Sequence, residues 1–195
     1  MKKLIALVLI LTSALSLTGC FEDDSAAVIQ DPSQSPNYTK FETTDFSILY
    51  PNDWEVLQKD SFTSNVPAST IVIFRNNIKS DLFTANLNIS QTTLTQKESL
   101  TSEDFTTQTL NTEKFNLVNF QEIKREDFTI GQEKTSIVTF QGRKSVTDTL
   151  LNFEQICIAR NGFGMIITAA YLPNEDQSVV LKLDEMIRSF TLKNP

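Results

Sequence analysis

"FSILYPNDWEV", Phe46 to Val56, reads as a strand, a turn and a covering ring in quick succession. Phe46 to Tyr50 is a short apolar run of the kind that forms a strand. Pro51 suits the second position of a type I turn, where its fixed φ is already correct, and Asn52 and Asp53 tolerate the remaining positions. Trp54 then supplies a ring large enough to cover the end of a sheet. Aromatic residues bury much apolar area and favour cores, so the expected role of Trp54 is structural, with a ligand platform as the alternative.

Outward from this stretch the strand rhythm continues. Phe83, Ala85, Leu87 and Ile89 share one face of an extended segment, and Asn86, Asn88 and Ser90 take the other. Ile71 to Phe74 and Ile137 to Phe140 are further short apolar runs. Leu150 to Arg160 and Phe163 to Tyr171 flank Asn161-Gly162, a pair that tolerates the positive φ of a type I′ turn, which predicts a hairpin. Two segments break the rhythm. Thr101 can cap a helix from about Ser102 to Lys114, with Asp104 at its third position and Leu100 stapled onto Phe105. Nearer the C-terminus, Asn174 can cap with Gln177 three residues on, and Val180, Leu183, Ile187 and Phe190 recur at helical spacing. Strands, helix, strands, hairpin and helix make the chain α+β, an antiparallel sheet with helices packed on it.

The opening stretch resembles the start of the PsbP family, which has the Mog1/PsbP/DUF1795-like fold. Members begin with a strand, a proline turn and a tryptophan, and finish in a helix ending like Ile187-Arg188-Ser189-Phe190. The order of elements agrees from about Phe41 to Lys193. The resemblance implies a central antiparallel β-sheet covered by helices on both sides, and bacterial relatives that are lipoproteins of unknown role. Plant members of the family are extrinsic subunits of the photosynthetic oxygen-evolving centre. This chain has no histidine and nothing ties it to a photosystem, so that role is not carried over.

The first residues give an address. Lys2 and Lys3 precede the run Leu4 to Leu11, which is too short for the roughly twenty apolar residues of a spanning helix and reads as an export signal over residues 1–19. Leu17-Thr18-Gly19-Cys20 resembles the lipobox of bacterial lipoproteins, in which the signal is cut before the cysteine and its sulfur receives a diacylglycerol. A thiolate is the side chain suited to alkylation into a stable thioether. One acyl chain gives marginal membrane binding at about 0.8 kcal/mol per buried CH₂, while two or three hold a domain firmly. Cys20 is therefore expected to be the anchor. The expected location is the bacterial envelope, on the outer face of the cell membrane in a monoderm. In a diderm, Phe21 after the cysteine favours the outer membrane, facing the periplasm.

Residues 20–37 hold the lipidated cysteine and a tether rich in Asp, Ser, Gln, Ala and Pro. As a flexible coil its relaxed span is roughly 20 to 25 Å. Residues 38–195 form the domain; at roughly 155 residues it can bury about 70% of its unfolded surface. Removing residues 1–19 leaves 15 basic against 24 acidic residues, a formal charge of −9. That argues against nucleic acid, whose binding depends on phosphate contacts from basic side chains. Cys157 is then the remaining thiol besides Cys20, set between Ile156 and Ile158 with no adjacent cation, and is expected to pack as a small hydrophobe.

Catalytic sets are hard to assemble from this chain. Without histidine, Ser-His-Asp and Cys-His arrangements are impossible and the usual zinc sets are excluded. Ser-x-x-Lys does not occur, and five glycines supply neither a phosphate loop nor a dinucleotide fingerprint. Glu103/Asp104 and Glu175/Asp176 are expected in the first turns of helices, where the dipole favours negative charge. Asp23/Asp24 sit in the tether, and Glu126/Asp127 point to opposite faces of a strand. No catalytic residue, cofactor or metal site is expected. The leading expectation is a membrane-anchored accessory domain that binds an envelope protein, with Trp54, Arg143 and Lys144 as a possible binding surface. The alternative is a carrier or sensor of a small apolar ligand, suggested by fourteen phenylalanines; an enzyme is third.

Overall fold

In a computed structural model, residues 37–94 and 100–193 are described. The export signal, the lipobox Leu17 to Cys20, Asp23/Asp24 and the tether up to residue 36 lie outside the described residues. Two sheets form. Strands β1 (Tyr38–Glu42), β2 (Phe46–Pro51) and β10 (Thr191–Leu192) make a small sheet in the order β1-β2-β10. The large sheet contains β3 (Glu55–Gln58), β4 (Thr70–Arg75), β5 (Asn86–Thr93), β6 (Val118–Ile130), β7 (Glu133–Arg143), β8 (Leu151–Arg160) and β9 (Phe163–Tyr171), in the order β3-β4-β5-β9-β8-β7-β6. Every pairing is antiparallel. Helices α1 (Ser102–Asn116) and α2 (Gln177–Arg188) take opposite faces of this sheet, as expected.

The face under α2 holds the main core. Leu87, Ile89, Ile156, Ile158 and Ile167 from the large sheet meet Phe46 and Ile48 of β2 and Leu183, Met186 and Ile187 of α2. Phe46 stacks on Phe190 with centroids 5.3 Å apart, and Phe41 meets Phe74 edge-on at 5.5 Å. The other face is packed by α1 through Phe105 on Cys157 and Ala159, and through Leu110 on Val138 and Phe140. The rest of that contact is hydroxylic: Ser102 Oγ accepts the Ala159 N–H at 3.0 Å, and the Thr106 hydroxyl donates to the Ser102 carbonyl at 2.7 Å. Ser102, Thr106 and Thr109 are buried on this contact face, which is why α1 shows so faint an apolar stripe in sequence.

Local codes explain most boundaries. Asn161 at φ 51° and Gly162 at φ 78° form the β8–β9 turn that their sequence requires. Thr101 accepts the Asp104 N–H at 3.1 Å and caps α1. Two expectations are corrected. The Trp54 N–H donates to the Pro51 carbonyl at 2.9 Å, which puts Pro51 first in the turn and not second. Pro51 still belongs to β2, paired with Tyr38, at the end of the strand where β10 does not reach; on that side its missing N–H costs no ladder bond. At α2 the cap is Asp176, not Asn174, because the Glu175 N–H turns back to the Leu172 carbonyl at 3.0 Å and closes a turn through Pro173 and Asn174 first. Asp176 then accepts the Ser178 N–H at 2.8 Å, Gln177 becomes the first helical residue, and Glu175 lies outside the helix.

Candidate functional site

Alternation along β6 turns Lys124 and Glu126 toward α2, and alternation along β8 puts Glu154 on the face of Ile156 and Ile158. Across from them, Asp184 and Arg188 sit one turn apart on α2, the spacing at which helix side chains meet. These five line an open cleft of about 210 Å³ whose apolar wall is Ile137, Val180 and Leu181. Arg188 organises it. Its Nε donates to both Asp184 oxygens at 2.9 and 3.0 Å, while Nη1 and Nη2 donate to the two Glu126 oxygens at 3.0 and 3.3 Å. Lys124 Nζ adds a bond to Glu126 at 2.7 Å. The planar guanidinium suits this two-carboxylate grip, which a lysine could not make.

The charges shift accordingly. Glu126 is held down to about 2, first by its hydrogen bond from Arg188 and then by that from Lys124. Glu154 is the odd member, only 7% exposed with no cation bonded to it. Burial, then the charge of Asp184 and a hydrogen bond with it, push its carboxyl up to about 8. The cleft thus sets Glu154, whose acid form burial favours, beside Asp184. Arg188 is raised by Glu126 first among its partners. The arrangement can accept and donate hydrogen bonds to a polar group placed against the wall of α2. Among the described residues, no group of three or more Cys, Asp or Glu is placed to hold a metal ion.

The residues singled out from sequence are elsewhere. Trp54 is 5% exposed and belongs to the main core, so it offers no surface to a partner, and its indole N–H has no hydrogen-bond partner. Arg143, half-buried with Nε enclosed and unbonded, ends β7, and the exposed Lys144 begins the next loop; neither reaches the cleft. Cys157 is fully buried on the α1 face and its thiol is pushed up to about 12 by burial. Glu126 and Asp127 do face opposite ways. The cleft itself was not singled out in sequence, although Asp184/Arg188 form a visible i,i+4 pair.

No protein-family model matches the chain, and no curated protein matches it in sequence. Solved structures do resemble it. The cyanobacterial PsbP protein of Synechocystis sp. PCC 6803 superposes with a TM-score of 0.58 at 16% identity, covering 80% of this chain and 93% of that one. LpqN of Mycobacterium tuberculosis, described as involved in cell envelope biogenesis, gives 0.53 at 16% identity over 80% and 91% of the two chains. The Ran-binding protein Mog1p of Saccharomyces cerevisiae gives 0.52 at 13% identity over 81% and 96%. The domain from Tyr38 onward therefore has the Mog1/PsbP-like α+β fold.

Proposed function

We propose that this chain is an envelope lipoprotein, exported by residues 1–19 and acylated at Cys20, whose domain acts by binding a protein partner and not by catalysis. The observation that carries the binding reading is the Arg188 cleft. Its volume of about 210 Å³ falls short of the roughly 300–1,000 Å³ typical of small-molecule sites. Its walls are charged and hydrogen-bonding, with the exposed Leu181 at the rim. A cleft of that size and polarity suits one or two side chains of a protein surface, and a half-exposed Arg is a common hot spot. Two fold neighbours, the Ran-binding protein Mog1p and LpqN, which is involved in cell envelope biogenesis, lend support at the level of fold. A carrier of an apolar ligand has less support, since Phe41, Phe46, Phe74 and Phe190 pack on one another or on their neighbours. No helix among the described residues is long and apolar enough to cross a membrane.

Two measurements test the two halves. Cys20→Ser should abolish acyl labelling and shift the protein out of the membrane fraction or leave it unprocessed; wild-type protein with no lipid at residue 20 refutes the anchor. Crosslinking in intact envelopes should capture a protein that Arg188→Glu no longer captures while folding is kept. Undiminished capture by that variant refutes the cleft as the binding site.

A further inference from the structure

The register of the large sheet defines two ends of the domain. Glu55 pairs with Arg75, Arg75 with Asn86, Asn86 with Ala170, Tyr171 with Asn152, Leu151 with Gly142 and Arg143 with Val118, so these residues mark one end of all seven strands. The β2–β3 turn, the β4–β5 loop, the β7–β8 loop and the α1–β6 junction all project from that end. So does the start of the described chain: Tyr38 pairs with Pro51, and the Asn52 N–H donates to the Asn37 carbonyl at 2.9 Å.

Four large apolar side chains stand in solvent at this same end. Phe115 in the last turn of α1 is 90% exposed, Ile78 and Leu82 on the β4–β5 loop are each 72% exposed, and Val146 on the β7–β8 loop is 69% exposed. They are the four most exposed large hydrophobic residues among those described; Ile123, Leu181 and Phe163 follow, on β6, on α2 and beside the opposite-end hairpin turn. The β4–β5 loop is held in shape. Asn76 Oδ1 accepts the Ile78 N–H at 3.2 Å, Ser80 Oγ accepts the Leu82 N–H at 3.3 Å, and Lys79 bonds Glu55 at 3.0 Å. A single exposed leucine is ordinary, but four at one end, around the point where the chain arrives, is a pattern.

We infer that this end of the domain rests on a lipid bilayer, with Ile78, Leu82, Phe115 and Val146 dipping into its surface; the inference rests on the anchored reading proposed above. A bilayer is favoured over a protein here because the tips lie on separate loops. The β4–β5 and β7–β8 loops are about three strand spacings apart, roughly 15 Å. A fluid surface accepts separate tips, and binding to it scales with the apolar area buried. Cys20 lies only seventeen positions before Asn37, so the chain from the proposed anchor enters the domain at this end. Arg75, Lys79, Lys114, Arg143 and Lys144 are offset there by Asp53, Glu55, Asp81, Asp148, Glu175 and Asp176, so the contact is apolar and does not need anionic lipid.

The test uses the full chain with Leu82→Cys, Phe115→Cys or Phe163→Cys, each labelled with an environment-sensitive dye; buried Cys157 escapes labelling, an acylated Cys20 has no thiol to label, and where mass shows no acyl group Cys20→Ser is added to each variant before labelling. The protein is bound to vesicles of phosphatidylcholine and phosphatidylglycerol carrying spin-labelled lipid, and its acyl state is read by mass. Quenching at residues 82 and 115 with none at 163 is expected. Equal quenching at all three, or none in protein that floats with the vesicles, overturns the inference. So does shielding of 82 and 115 by a captured envelope protein without lipid quenching. If mass shows no acyl group, the anchor reading fails by itself; the same quenching pattern would still uphold the bilayer contact, and absence of vesicle binding would overturn both.

Discussion

Arg188 near the end of the C-terminal helix grips Glu126 on the outermost strand with two parallel hydrogen bonds, 3.0 and 3.3 Å, across 62 positions of sequence. The pair ties α2 to β6 at the mouth of the cleft. Both side chains are partly exposed, so the bond contributes little to stability, about 1 kcal/mol or less. Its larger effect is to order the charges a partner would meet. Arg188→Ala should leave the melting temperature within a few degrees of wild type and still cut partner capture by at least tenfold. Arg188→Lys should recover little, since an ammonium cannot span Asp184 and Glu126 together. Thermal denaturation and quantitative capture on the same samples check the separation.

The cleft also sets a pH dependence with two limbs. Glu154 has its carboxyl raised in the fold, so its contribution to stability is complete below its ordinary value near 4.5 and is lost as pH rises toward about 8. Glu126 runs the other way, contributing above 4.5 and losing that contribution as pH falls toward about 2. The acid limb is shallow because Glu126 is partly exposed and its ion pairs are screened by solvent. Urea midpoints measured from acid to mildly alkaline pH should therefore decline across the range from 4.5 to 8. Glu154→Gln should flatten that decline, because glutamine keeps the buried hydrogen-bonding group and removes the charge. A decline of equal size in the glutamine variant would mean that other groups cause it.

What was legible in the sequence was local. The Asn161-Gly162 turn, the Thr101 cap, the inward row of Ala85, Leu87 and Ile89, and the stripe of Leu183 and Ile187 are codes written within a few residues, and each forms as read. The Asn174 cap failed because a turn closed by Glu175 onto Leu172 takes that residue first. The small sheet was hidden since β10 is Thr191 and Leu192 alone, and its partners Ser47 and Phe46 lie far away in sequence. The cleft was hidden for a similar reason: Glu126, Glu154 and Arg188 come from three separate elements, and only Asp184/Arg188 carries a local spacing.

Cys157 should be chemically silent in the folded protein. It is fully buried against α1, and burial pushes its thiol up to about 12, a shift that contacts with Thr109 and Thr106 only partly oppose. The thiolate that reacts is therefore scarce, and reagents cannot reach it. Native protein should resist alkylation at residue 157 and react at once in denaturant. Cys157→Ala should cost only about 1 kcal/mol or so, as loss of one small buried group, and leave partner capture unchanged. Rapid labelling of the native protein would contradict this packing.

Gly164 and Phe105 decide how closely α1 can lie on the sheet. A Cβ placed on Gly164 would fall 2.4 Å from Phe105 Cζ and 2.8 Å from Cε1, with Leu94 Cδ2 at 3.1 Å. The ring occupies the space that the missing side chain leaves. Gly164 does not have positive φ, so alanine is acceptable to the backbone and its effect is steric alone. Phe105 is the anchor of the α1 contact, packed with Cys157 and Ala159, so it cannot move without shifting the helix. Gly164→Ala should therefore destabilise by about 1–3 kcal/mol, the usual cost of overfilling a packed site. Phe105→Leu is destabilising by itself through lost packing, but it also clears the far edge of the ring. The double variant should be less destabilised than the two losses added together, with a coupling of about 0.5 kcal/mol or more. Urea denaturation of the four proteins gives that cycle; strictly additive losses would show that the ring is not the obstacle and that α1 is held off Gly164 by other contacts.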